Sequence, residues 1–129
     1  MRRLLLVTVL LSHAVSSAYA QGLRAVQPLP GYMCMMLSAP PADTIEQIPQ
    51  IPVRGSPSAA APVTGFSPSV VLVQSPLQVT SGFLHAVFAD KHIGWIAAAD
   101  LKPWSTPYKQ NQRCYPSMMS NGTYGYAFH

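Results

Sequence analysis

The stretch that decides the fold is Phe83-Leu84-His85-Ala86-Val87-Phe88-Ala89-Asp90-Lys91-His92-Ile93-Gly94-Trp95-Ile96-Ala97. Two short apolar runs, rich in β-branched and aromatic residues, flank the polar triplet Asp90-Lys91-His92. That composition predicts two strands joined by a tight turn. Just upstream, Val70-Val71-Leu72-Val73-Gln74 is continuously apolar and too short for a helix, which predicts a buried strand. Downstream, Ala98 to Leu101 predicts a single 3₁₀ turn before Lys102-Pro103-Trp104.

Working outward, Gly, Pro and Ser punctuate the chain at short intervals. Arg54-Gly55-Ser56-Pro57-Ser58, Pro62-Val63-Thr64-Gly65 and Ser67-Pro68-Ser69 all read as turn chemistry. Pro40 to Pro52 is a proline-punctuated loop, in which Ile45, Ile48 and Ile51 suggest one helical turn or a polyproline-like segment. Met33-Cys34-Met35-Met36-Leu37 predicts a short strand. Residues 21–32 read as an irregular lead-in, because Pro28 and Pro30 each remove a backbone donor. At the other end, Asn121-Gly122 favours a hairpin between Met118-Met119 and Thr123 to Tyr126. Short strands separated by Gly and Pro predict an all-β fold, a small barrel or sandwich, with Val53, Val63, Val71, Val73, Val87, Ile96 and Leu101 as its core.

Residues 1–20 have the form of a signal peptide. Met1-Arg2-Arg3 is basic, Leu4 to Leu11 is apolar, and Ala18-Tyr19-Ala20 supplies the small-x-small site cut by a signal peptidase. The apolar run is far shorter than the roughly 20 residues of a membrane-spanning helix, so no membrane span is expected after cleavage. A periplasmic or secreted location follows. Without Arg2 and Arg3, six Lys or Arg remain against four Asp or Glu. The six are scattered singly as Arg24, Arg54, Lys91, Lys102, Lys109 and Arg113, unlike the basic face of a nucleic-acid binder.

From Val53 the order of motifs resembles the bacterial SH3-like domain family. The carriers are Val53-Arg54-Gly55-Ser56-Pro57-Ser58, Pro62-Val63-Thr64-Gly65, the strand at Val70, Ser81-Gly82-Phe83-Leu84-His85-Ala86-Val87, Ile93-Gly94-Trp95-Ile96 and Asp100-Leu101. The resemblance implies a small SH3-like barrel over residues 53–104. Around it lie irregular extensions: a Pro-rich one at 21–52 with one short strand, and an aromatic tail at 105–129. Within a barrel, Gly94 would allow a sharp bend or a close backbone approach, and Phe83 and Trp95 are large enough to fill or cap it. The family's middle-strand Trp is Phe83 here, and its usual Gly-bearing turn before the Val70 strand is Ser67-Pro68-Ser69. Exported domains of this kind often attach to cell-wall peptide or glycan, or contact other proteins.

Cys34 and Cys114 are the two cysteines, and they bracket the core segment. In an oxidising compartment, such a pair predicts one disulfide between the early strand and the tail. On the chain-entropy account it is worth roughly 4–5 kcal/mol. The rival is a soft-metal site. Met33, Met35 and Met36 surround Cys34, Met118 and Met119 follow Cys114, and thiolate with thioether sulfur selects Cu(I). A catalytic cysteine would need His85, His92 or His129 as its base and a third orienting group. Asp43, Glu46, Asp90 and Asp100 show no pairing that suggests acid–base work. The tail aromatics Tyr115, Tyr124, Tyr126 and Phe128 would either cover the barrel or form a recognition surface.

The expectation is therefore an exported, non-catalytic binding module without cofactor or bound metal. Its partner would be cell-wall peptide or glycan, or an envelope protein. Phe83, Trp95, Trp104 and Tyr108 are the candidate binding residues, and Cys34 with Cys114 the disulfide. A copper carrier and a structural subunit of an envelope assembly are the alternatives.

Overall fold

A computed structural model describes residues 22–39 and 44–129; the signal-peptide expectation for 1–20 lies outside the described residues. The strands are β1 (Ala25–Pro28), β2 (Tyr32–Leu37), β3 (Pro52–Arg54), β4 (Val63–Phe66), β5 (Val70–Gln74), β6 (Phe83–Val87), β7 (Ile93–Ala97), β8 (Leu101–Pro103), β9 (Cys114–Met119) and β10 (Tyr124–Phe128). Among the described residues there are also two 3₁₀ turns, Ile45–Gln47 and Ala98–Asp100. They form a seven-stranded sheet, in the order β4-β3-β7-β6-β5-β2-β8, and a three-stranded sheet, β1-β9-β10.

The pairings recorded between neighbouring strands are antiparallel. The meander β5-β6-β7 follows the expected strands closely, and the 3₁₀ turn at Ala98–Asp100 sits where Ala98 to Leu101 placed it.

Alternation of side chains across the large sheet gives it two buried faces. On the inner face Met35, Val53, Val71, Val73, Leu84, Ala86, Ile96 and Leu101 make one core cluster. Val53 is on β3 and Leu101 on β8, near opposite ends of the strand order, so the sheet must curl strongly for them to share a core. Curling stops short of a barrel, because β4 and β8 do not pair with each other and remain the two edges. The all-β expectation holds, while a closed barrel is not what the strand pairing shows. Gly94 explains part of the curvature. A Cβ there would overlap Val53 Cγ1 and come within 3.1 Å of Phe88 Cε2. This is the close approach that Gly-Trp suggested.

Three expectations are corrected. Val63, assigned to the core, is 48% exposed. It lies in edge strand β4, whose other side has no neighbouring strand to bury it. Pro62-Val63-Thr64-Gly65, read as a bend, runs into that strand. The lead-in contains strand β1, where Pro28 is tolerated because β1 is an edge whose outward donors need no partner. Strand β2 is an internal strand of the large sheet, between β5 and β8. Its residues alternate, with Met33 and Met35 toward the inner core and Cys34 toward the opposite face.

That opposite face carries a second cluster, Cys34, Leu72 and Val87, covered by Leu29, Tyr32, Val70, Trp104, Cys114 and Tyr124. Here the three-stranded sheet docks. The Cys34–Cys114 disulfide joins β2 to β9. Tyr124 N–H donates to Ala89 O at 3.0 Å, and Lys91 Nζ lies 5.4 Å from the centre of the Tyr124 ring. The β9–β10 hairpin turns at Asn121-Gly122, with Gly122 at φ +82°. In this way the tail covers one end of the outer face.

Candidate functional site

Beyond Val87, which the three-stranded sheet covers, the outer face of β3, β7 and the Phe83–His85 part of β6 lies outside the Cys34–Leu72–Val87 cluster. The register sets its side chains in a row. Val63 pairs with Arg54, Arg54 with Trp95, and Trp95 with His85. Each of Arg54, Trp95 and His85 alternates with an inner-core neighbour (Val53, Ile96, Leu84), so all three project outward. Phe83 lies two residues from His85 and Ile93 two from Trp95, on the same face. Ile93 is 54% exposed, and Phe83, His85 and Trp95 are half-buried.

The row is ordered by specific contacts. His85 and Trp95 meet edge to face, with ring centroids 5.1 Å apart and planes at 84°, a geometry favoured by the ring quadrupoles. His85 Nδ1 is enclosed and has no hydrogen-bond partner within the protein. Arg54 donates from Nη1 to Ala61 O at 3.0 Å, which ties the Gly55 to Ala61 turn to β3. Thr64 Oγ1 donates to Val53 O at 3.3 Å and holds the edge strand against β3.

The charge pattern is one-sided. Glu46 is in the first 3₁₀ turn and Asp100 in the second. Asp90 is in the β6–β7 turn, bonded through Oδ1 to both Nδ1 and N–H of His92. The side-chain hydrogen bond from His92 is the main cause that holds the Asp90 carboxyl below the usual carboxylate value. Among the described residues, Arg54 makes no ion pair. The face is thus apolar and aromatic with one uncompensated guanidinium.

Of the four residues picked from the sequence, the structure brings together two, Phe83 and Trp95. Trp104 lies in the seam between the sheets, stacked on Phe128 at 4.8 Å and 20°, and packs against the Cys34–Leu72–Val87 cluster. Tyr108 sits apart in the β8–β9 connection at 91% exposure. Arg54, His85, Ile93 and Val63 were missed. Their signal was alternation: once Val53, Leu84 and Ile96 are core, their neighbours must face outward, but which outward residues stand side by side depends on strand register.

Cys34 and Cys114 are joined, their Cα atoms 6.0 Å apart, so both sulfurs that a Cu(I) site would use are engaged with each other. The methionines also diverge. Met33 and Met35 face the inner core, and Met119 folds against Gly125 at the far end of β9. Among the described residues, no group of three His, Cys, Asp or Glu side chains converges as a metal would require. No helix among them is long and apolar enough to cross a membrane. Compared with family models, curated proteins and solved structures, the chain matches none.

Proposed function

We propose that this chain is an exported, non-catalytic binding module of the bacterial SH3-like kind, built as an open curled sheet. It engages cell-wall peptide or glycan, or an envelope protein, through the outer face of β3, β6 and β7. The observation that carries this reading is that Trp95 and Phe83, both half-buried, lie on the same outward face of the β6–β7 pair, Trp95 opposite His85 and Phe83 opposite Ala97. Half-buried aromatic side chains held on a fixed sheet add contact area at little entropic cost when a partner arrives. The sequence of strand, meander, 3₁₀ turn and final short strand over residues 53–104 supports the SH3-like kinship. A disulfide is compatible with a periplasmic or extracellular site of action.

A subunit of an envelope assembly would use the same face, and the two partners separate in one experiment. Wild-type protein and the Trp95→Ala and Tyr108→Ala variants are sedimented with isolated cell wall and, in parallel, passed over immobilised envelope proteins. Trp95→Ala is expected to lose retention at least tenfold on one matrix, as removal of a central aromatic contact does, with Tyr108→Ala unchanged. Retention of Trp95→Ala equal to wild type on both would overturn the reading.

A further inference from the structure

Resting on that reading of the face, we infer that its partner is an extended peptide segment carrying an acidic residue between apolar ones, and that Arg54 receives the carboxylate. Arg54 is half-buried between Val63 and Trp95, and its single recorded bond uses Nη1 alone. A guanidinium has five N–H donors in a planar fork shaped for a carboxylate. Glu46, Asp90 and Asp100 belong to other elements, and Asp90 is engaged by His92. A half-buried cation with no counter-charge among the described residues favours an anionic partner, because pairing offsets part of its desolvation.

Apolar side chains flank Arg54 on the face: Val63 on one side, Trp95 and Ile93 on the other. The matching ligand therefore has apolar groups on both sides of its acid, which describes an internal acidic side chain rather than a chain end. The backbone supplies the reason for a peptide. Strand β4 is the outer edge of the seven-stranded sheet, one strand from Arg54, and an unpaired edge offers a row of N–H and C=O groups to an incoming extended chain. Val63 and Phe66, 48% and 58% exposed on that edge, provide the side-chain contacts.

The test uses the oxidised protein and three tripeptide probes: acetyl-Leu-Glu-Leu-amide, its neutral counterpart acetyl-Leu-Gln-Leu-amide, and acetyl-Leu-Gln-Leu with a free terminal carboxylate. NMR follows the Arg54 Nε and Trp95 indole N–H signals during titration. The Glu probe is expected to shift both signals with an apparent affinity about fivefold above the neutral probe, the scale of a solvent-accessible ion pair. The terminal carboxylate should fall between them. Arg54→Gln should abolish the difference, and Arg54→Lys should keep part of it, with near-UV circular dichroism confirming that each variant is folded. Equal affinities for the Glu and Gln probes, with Trp95 still shifting, would remove the carboxylate while leaving the binding face in place. Failure of every probe to move Trp95 up to its solubility limit, or discrimination that survives in Arg54→Gln, would overturn the inference.

Discussion

Replacing Cys34 and Cys114 together by Ala should destabilise the protein by about 5.5 kcal/mol. The bond joins residues 80 apart in sequence, and closing a loop of that length removes on the order of 15 cal/mol/K from the unfolded chain, about 4.5 kcal/mol at room temperature. Cys34 is 6% exposed in the seam, so loss of its sulfur adds packing loss there, about 1 kcal/mol. A domain of this size has only about 5–15 kcal/mol in total, so the variant should sit near its unfolding midpoint or require low temperature to remain folded. Guanidinium unfolding followed by near-UV circular dichroism gives the difference, with the slope compared to detect a change in the denatured state. A loss under about 1 kcal/mol at an unchanged slope would refute the claim that this bond is what ties β9 to β2.

Two further consequences are open to measurement. Gly94→Ala drives a methyl group into Val53 and should cost about 1–3 kcal/mol. Val53→Ala in the same chain should recover part of that loss, which a double-mutant cycle reads as coupling; simple additivity would show that Gly94 is not packed against Val53. In the β6–β7 turn, the Asp90 carboxyl is held below its ordinary 3.8 chiefly by the His92 hydrogen bond. A depressed carboxylate pKa means stabilisation that is present above the unfolded value and lost as pH falls through the folded one. The turn should therefore loosen only below about pH 4. Carbon-detected titration of Asp90 should give a value under 3.8, and His92→Ala should raise it; an Asp90 value at or above 3.8 contradicts the contact.

Much of the fold could be read from residues alone because its inner core is made of short β-branched runs. Val70 to Gln74, Phe83 to Val87 and Ile93 to Ala97 each announce a strand, and Gly94 before Trp95 announces a tight approach. Two cysteines bracketing the chain made the clip legible. What could not be read was which strand lies beside which. Val63 looks like a core residue until β4 is known to be an edge, and Trp104 looks like a surface aromatic until β10 is known to fold back on it. The same limit applies to the site. Trp95 and Phe83 stand out by residue type, but Arg54 enters the site only because β3 pairs with β7 across a register that local sequence does not encode.

The most direct test of the binding face uses the chain's two tryptophans. With 5-fluorotryptophan incorporated, Trp95 and Trp104 give two fluorine resonances, assigned by single Trp→Phe variants. On adding isolated cell-wall fragments or the envelope partner retained in the sedimentation and capture experiment, the Trp95 resonance should shift or broaden while Trp104, shielded in the seam by Phe128, stays in place. Movement of Trp104 with Trp95 unchanged would contradict the account and relocate binding to the junction between the two sheets.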